Sequence, residues 1–174
     1  FYSPEFFNVS DDILPSPGNA SVVYMQDDSW SGVTQDHVKV WTVNVDWNDI
    51  TNSSISNPEE IITTPFISVF DGGSFSNVPQ PNGPDQDVLQ ATIMNQAQFR
   101  KFPTYNSAIF NFVVDTDGSN SEHAGIRWYE LRQNNDGDPW TIYQEGTYVS
   151  PDSSKHAFSG SMVMDGMGNI GMGY

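Results

Sequence analysis

The chain has 174 residues, enough for one domain with a hydrophobic core, and it carries 22 acidic against 6 basic side chains, for a formal net charge of −16. That charge argues against nucleic-acid binding, which needs lysine and arginine to meet the phosphates, and it disfavours anionic membrane surfaces. The absence of cysteine excludes disulfides, zinc-thiolate sites and cysteine nucleophiles. No apolar stretch approaches the ~20 residues that a transmembrane helix requires. An acidic surface rich in Asn, Ser and Gly is typical of a secreted or cell-surface β protein.

The first third of the chain alternates short strand patterns with polar loops. Residues 1–19 hold three prolines and are predicted to form an irregular N-terminal arm. Alternation of apolar and polar side chains predicts strands at residues 20–25 and 37–47, and a weaker strand at residues 60–64.

The next segment is less regular. Residues 65–87 form a long loop rich in Gly and Pro, and such loops are often functional in compact domains. Residues 88–102 fit a helical spacing at their start. The turn containing Pro103 and the strand pattern after it favour a strand at residues 92–102 instead, so both alternatives stay open on pattern alone.

The chain is organised around residues 107–149. Alternation with aromatic and β-branched residues predicts three sequential antiparallel strands there, at residues 107–114, 124–133 and 140–144. Both faces of these strands carry large apolar side chains, so we expect the sheet to be covered on both sides. Further strands are predicted at residues 158–164 and 170–174.

These patterns predict an all-β fold. Antiparallel four-stranded blades of a β-propeller-like region over residues 20–174 are expected, as a partial or open ring, and a β-sandwich is the alternative. Because the pattern stops inside a strand, we expect the propeller-like region to be incomplete at its C-terminus.

Several aromatic motifs resemble one protein family. The segments are MQDDSWSG (25–32), DHVKVWTVNVDW (36–47), PQPNG (79–83), VDTDG (114–118), HAGIRWYELR (123–132), WTIYQEGTY (140–148) and MVMDGMGNIGMGY (162–174). Together they are similar to a family of large secreted bacterial proteins, often marine, whose central region is predicted to be a β-propeller. The resemblance implies a strand at residues 92–102 and a chain that belongs to a longer protein. It supplies no activity and no catalytic residues.

Acidic pairs and aromatic residues are the candidates for ligand binding. The paired acids are Asp27-Asp28, Glu59-Glu60, Asp115 with Asp117, and Asp136 with Asp138. Two facing carboxyls would serve glycoside hydrolysis, whereas Asp-Gly turns also place acids at loop tips for conformational reasons. Trp30, in an acidic turn, is the tryptophan expected to be exposed, and the other four are expected in the core. The predicted ligand-binding residues are Asp27, Asp28, Trp30, His123 and Arg127.

Calcium is the predicted cofactor. Asp115, Asp117, Asn120 and Glu122 offer carboxylate and amide oxygens within one short loop, and Ca²⁺ takes six to eight such ligands. The loop is shorter than the twelve-residue helix-loop-helix motif. An ordinary hairpin loop is therefore the competing interpretation.

The sequence shows no catalytic motif. It favours a non-catalytic binding or structural module of a secreted or cell-surface bacterial protein, with a glycan or protein ligand. A polysaccharide-active, glycoside hydrolase-like enzyme with Asp or Glu catalytic groups is the first alternative. A self-assembling surface protein is the second, in which strand edges pair with neighbouring subunits.

Overall fold

A computed structural model describes residues 4–119 and 122–174. The described residues form an all-β fold without an α-helix, and one short 3-10 helix spans Ile50–Asn52. The strands are β1 (Glu5–Phe6), β2 (Asn8–Val9), β3 (Ala20–Gln26), β4 (His37–Asn44), β5 (Ser54–Ile55), β6 (Glu59–Ile62), β7 (Gln98–Lys101), β8 (Asn106–Asp115), β9 (Ala124–Gln133), β10 (Thr141–Tyr148), β11 (Ser161–Met164) and β12 (Ile170–Gly173). Among these residues no helix has the length and apolar character that crossing a bilayer requires.

The strands form two five-stranded sheets and a hairpin. The front sheet has the order β1-β3-β4-β5, with β6 also paired to β4, and all its pairings are antiparallel. The central sheet has the order β10-β9-β8-β7-β2, and only its β2–β7 pairing is parallel. The outer hairpin consists of β11 and β12.

The front and central sheets pack face to face around the main core. Val23, Met25, Val38 and Val40 extend from the front sheet into this core. The central sheet contributes alternate residues of β8 and β9, which are Ala108, Phe110, Phe112, Val114, Tyr129 and Leu131. Two sheets sharing one core fit the β-sandwich alternative, and the propeller arrangement is not confirmed.

The opposite face of the central sheet is covered as well. In the structure the long loop extends to residue 94, and its residues Phe70, Val78, Val88 and Met94 pack against Val113 and Ala124. Met162 and Met164 of the outer hairpin pack against Ile109. Every residue of β8 is consequently buried, and the prediction of a sheet covered on both sides is confirmed.

Residues 1–19 were predicted to be an irregular arm, but their described part contributes a short strand to each sheet. β1 pairs with β3 in the front sheet, and β2 pairs with β7 in the central sheet. Phe7 lies between them in the core, where its ring packs edge-on against Trp140 at 5.3 Å. Alternating burial on either side of Phe7 makes these pairings favourable despite the nearby prolines.

The ambiguous segment contains no helix. Residues 88–94 form an irregular part of the long loop, in which Leu89 and Ala91 have positive φ angles, and the strand covers only Gln98–Lys101. The helical spacing of its apolar residues reflects burial of the loop against the central sheet, not a helix face.

Candidate functional site

An acidic cavity of about 530 Å³ lies at one end of the sandwich. It lies at the ends of β8 and β10 and next to the turn between β3 and β4. Its lining residues are Asp28, Asp36, Pro65, Phe66, Ile67, Val114, Asp115, Thr116, Thr147 and Val149. Two of the acidic loops singled out in the sequence, those of Asp28 and Asp115, therefore meet at one cavity.

Three aspartates cluster at this cavity. Asp27, Asp28 and Asp36 each place a carboxylate oxygen within 4.8 Å of the others. Asp27 and Asp36 are buried, while Asp28 is exposed. The β3–β4 hairpin explains this meeting, because its register pairs Gln26 with His37 and so brings Asp27 and Asp36 opposite each other.

The two buried aspartates accept hydrogen bonds from backbone N–H groups of the adjoining loops. Asp36 accepts from the N–H groups of Asp28 at 2.6 Å and Phe66 at 2.6 Å. Asp27 accepts from the N–H of Ser29 at 2.8 Å and from both the N–H and the hydroxyl of Ser68. Together they fix the start of the long loop to the β3–β4 turn.

Clustering these carboxylates carries an electrostatic cost. Two charges at this separation repel by about 3 kcal/mol at an effective dielectric constant near 20. Burial raises the pKa of Asp36, the N–H groups of Phe66 and Asp28 oppose that rise, and the nearby charges of Asp28 and Asp27 add to it. The cluster offers the oxygen ligands that Ca²⁺ prefers, but four of its lone-pair directions already accept protein N–H groups.

The predicted calcium loop is built as a hydrogen-bonded turn. Asp115 accepts from the N–H groups of Asp117, Gly118 and His123 at 3.1–3.2 Å. Asp117 in turn accepts from the N–H of Ser119. Asn120 lies outside the described residues. The geometry therefore gives Asp115 and Asp117 a conformational role in the turn, and calcium stays a prediction.

Glu122 does not line the acidic cavity and contacts the long loop instead. Its Oε1 accepts the N–H of Asp71 at 2.7 Å, while its buried Oε2 has no hydrogen-bond partner. Burial raises the pKa of Glu122 to about 7, and the neighbouring charges of Asp115 and Asp71 contribute to that rise. Glu122 thus acts as a buried acid that holds the loop against the β8–β9 turn.

His123 and His156 lie beside Glu122 at a second cavity of about 480 Å³. Their ring centroids are 5.4 Å apart. His123 contacts the Thr116 hydroxyl and the Lys155 carbonyl, and His156 accepts the N–H of Ala124 through Nδ1. Burial, with a smaller contribution from His123, lowers the pKa of His156. The predicted ligand residue His123 is consequently occupied by protein partners on both ring nitrogens.

Arg127, also predicted to bind ligand, is buried in the core and held by protein groups. It forms an ion pair with Glu145 and donates further hydrogen bonds to Thr64, Thr147 and the Tyr129 hydroxyl. Its guanidinium also lies over the Tyr129 ring, 5.1 Å from the centroid. This arrangement ties β10 and the segment after β6 to β9 and gives Arg127 a structural role.

The predicted acid pair of Asp136 and Asp138 lies at the opposite end of the central sheet. Asp136 contacts Lys101, Asn106 and Ser16, and Asp138 accepts from the N–H and the side-chain amide of Asn135. Neither acid lines the acidic cavity.

The tryptophans are arranged differently from the prediction. Trp30, expected to be exposed, is partly buried against the main core and lies near Tyr24. Trp47, expected in a core strand, is 91% exposed. The strand ends at Asn44, because Asp46 accepts the N–H groups of Asn48 and Asp49 and so starts a turn.

The Trp47 loop, residues 45–53, is fixed by its own polar side chains. Asp46 also accepts from the side chain of Asn52, and Asp49 accepts from the N–H and the hydroxyl of Thr51. These hydrogen bonds lower the pKa values of Asp46 and Asp49. A charged, hydrogen-bonded loop therefore presents Trp47 and the 82% exposed Ile50 to solvent.

Sequence reasoning missed Asp36, His156 and Trp47 as site residues. Asp36 was detectable from hairpin register, and the Asp-Trp-Asn-Asp run signalled a turn around Trp47. His156 reaches Glu122 only through tertiary packing, which no local pattern encodes. Comparison with known protein families, with curated proteins and with solved structures found no match.

Proposed function

We propose that this chain is a non-catalytic binding module of a secreted or cell-surface bacterial protein and that it binds a glycan through the Trp47 loop. The acidic, cysteine-free composition and the family resemblance support the location. The observation that carries the proposal is the 91% exposure of Trp47 on a loop held by hydrogen bonds.

The chemistry of the loop suits a sugar ring. An exposed indole offers a flat apolar face, and Asn48 and Asp49 beside it are exposed polar groups able to bond hydroxyls. Ile50 and Ile55, both largely exposed, extend the apolar surface near this loop. Because Asp46 and Asp49 fix the backbone before any ligand arrives, binding costs less conformational entropy.

The clustered acids support a non-catalytic role. Asp27, Asp36 and Asp115 each accept backbone N–H groups, which orient their carboxylates toward the protein. A glycosidase instead needs two carboxyls facing one another across a sugar, about 5–9.5 Å apart.

The test is binding of the full chain to a panel of soluble and insoluble polysaccharides, followed by titration with oligosaccharides and tryptophan fluorescence. Trp47→Ala should abolish binding and leave the fold intact, because the side chain is exposed. Met167→Ala, which removes an 85% exposed side chain from the outer hairpin, is the matched control and should bind normally. Failure of the whole panel to bind, or equal binding by Trp47→Ala, would overturn the proposal.

A polysaccharide-active enzyme is the second candidate, because Asp28, Asp36 and Asp115 converge on one open cavity. Asp28 is the exposed member and is the residue best placed to meet a substrate. Release of reducing ends from any polysaccharide in the panel, lost in Asp28→Asn and retained in Trp47→Ala, would favour the enzyme over the module.

A further inference from the structure

We propose that Lys101 and Asn106 form an isopeptide bond, which joins the lysine Nζ to the Asn106 Cγ and releases ammonia. Asp136, which contacts both side chains, transfers the protons. The three residues lie at the end of the central sheet opposite the acidic cavity. This modification is independent of ligand binding at the Trp47 loop.

The strand register places the amine and the carboxamide side by side. Lys101 and Asn106 are direct cross-strand partners in the β7–β8 pairing. Such partners have Cβ atoms about 4.5–5.5 Å apart, so the two side chains leave the sheet together.

One carboxylate bridges the two reacting groups. Asp136 Oδ2 accepts a hydrogen bond from Lys101 Nζ at 2.5 Å. Asp136 Oδ1 accepts one from Asn106 Nδ2 at 2.8 Å. A single acid therefore touches both the nitrogen that would attack and the nitrogen that would leave.

The surroundings hold this geometry in place. Asn106 is 1% exposed, and its amide also donates to Gln133 Oε1 at 2.8 Å. The Asp136 side chain is 8% exposed and is fixed further by the N–H and hydroxyl of Ser16. Fixed neighbours convert a bimolecular acyl transfer into an intramolecular one, which lowers the entropic part of the barrier.

The reaction balances without any co-reactant. Asp136 takes a proton from the Lys101 ammonium, and the neutral amine attacks the Asn106 Cγ to form a tetrahedral intermediate. Asp136 then takes the second proton from the attacking nitrogen as it passes the first to Nδ2. The C–Nδ2 bond breaks, ammonia leaves and takes up the remaining proton, and an amide joins the two side chains.

The resting state makes this a slow, single event. Burial raises the pKa of Asp136, but hydrogen bonds from Lys101, Ser16 and Asn106 outweigh burial and bring the pKa below its ordinary value. The initial proton transfer from the Lys101 ammonium to Asp136 is therefore unfavourable. The modification should be slow and should accumulate with time after folding.

Intact mass measurement of the purified full chain under denaturing conditions tests the proposal. The expected result is the loss of one ammonia, accumulating during incubation below the unfolding temperature. Trypsin should then no longer cleave after Lys101, so the peptide of residues 102–127 disappears and fragmentation locates a link between residues 101 and 106.

Variants separate this link from other losses of ammonia. Lys101→Arg keeps the ion pair but has no nucleophilic amine, so it should retain the full mass. Lys39→Arg is the matched control, since Lys39 pairs with Glu60 at 3.1 Å, and it should lose ammonia as the unaltered chain does. Persistence of the loss in Lys101→Arg would indicate a cyclic imide at Asn106 and overturn the proposal. An unchanged mass after prolonged incubation, with the 102–127 peptide intact, would overturn it equally.

Discussion

Replacing Glu122 with Gln should remove a fall in stability that the unaltered chain shows between about pH 4.5 and pH 7. Glu122 is 7% exposed, its Oε2 has no hydrogen-bond partner, and Asp115 and Asp71 lie nearby. Gln keeps the shape and the acceptor that receives the N–H of Asp71, but it cannot ionise.

The sign and size follow from the raised pKa of Glu122. The unfolded chain releases this proton near 4.5, whereas the folded chain retains it until about 7. The folded state therefore binds more protons within that window, and stability falls as pH rises through it. The corresponding loss is at most about 3 kcal/mol, reached above pH 7. Below pH 4.5 the Glu122 carboxyl contributes no pH dependence.

Urea unfolding followed by tryptophan fluorescence, repeated from pH 4 to pH 8, measures this effect. Subtracting the Glu122→Gln curve from that of the unaltered chain isolates Glu122 from other titrating groups. Glu60→Gln is the control, since Glu60 is an exposed acid whose pKa is lowered by Lys39, and it should leave the fall in place. If Glu122→Gln and the unaltered chain show the same pH dependence, burial of an ionisable Glu122 is refuted.

Three further substitutions test the packing of the sandwich, each by urea unfolding. Trp140→Ala should cost about 3–5 kcal/mol, because this ring is 4% exposed and fills the main core; a cost within the range of surface substitutions would contradict that position. Arg127→Met should cost about 3–5 kcal/mol, since it leaves Glu145 without its buried partner, and added salt should change that cost little. Gly160→Ala should cost about 1–3 kcal/mol because its Cβ would lie 2.5 Å from Asn111 Oδ1 and 3.1 Å from Ile126. Gly171→Ala, whose nearest contact would be 3.7 Å, should be nearly neutral, and equal costs for the two glycines would refute the crowding at Gly160.

The strands were predictable because successive side chains of a strand point to opposite faces of the sheet. Alternation of residue types along the sequence therefore marks a strand and its two faces. Residues 124–133 were predicted and observed with the same limits, and both faces of β8 were assigned correctly. The sequential antiparallel pairing of β8, β9 and β10 was predicted correctly, but which other strands join each sheet was not predictable. That outcome depends on distant pairings such as β1 with β3 and β2 with β7, and alternation along one strand carries no information about its neighbours.

The candidate site residues were predictable only where they are neighbours in the sequence or partners within one hairpin. Asp27 and Asp28 were identified as a pair, and hairpin register would have added Asp36. Trp47 was assigned to the core because the alternation was extended three residues past Asn44. The strand ends there because Asp46 accepts local backbone hydrogen bonds. Such side-chain hydrogen bonds to backbone N–H groups compete with sheet pairing, and the pattern of apolar residues does not indicate them.

The short crossing from β1 to β2 has a consequence for how this protein meets other chains. One stretch of the chain caps a border of both sheets, with Phe7 donating its N–H to the Ser21 carbonyl and Asn8 donating to that of Ala97. Because β1 and β2 are only two residues long, they offer an extended peptide a poor template for lengthening either sheet at that flank. At the far flank the edge strands are β5, β6 and the eight-residue β10, and β10 offers the longer backbone edge for strand addition.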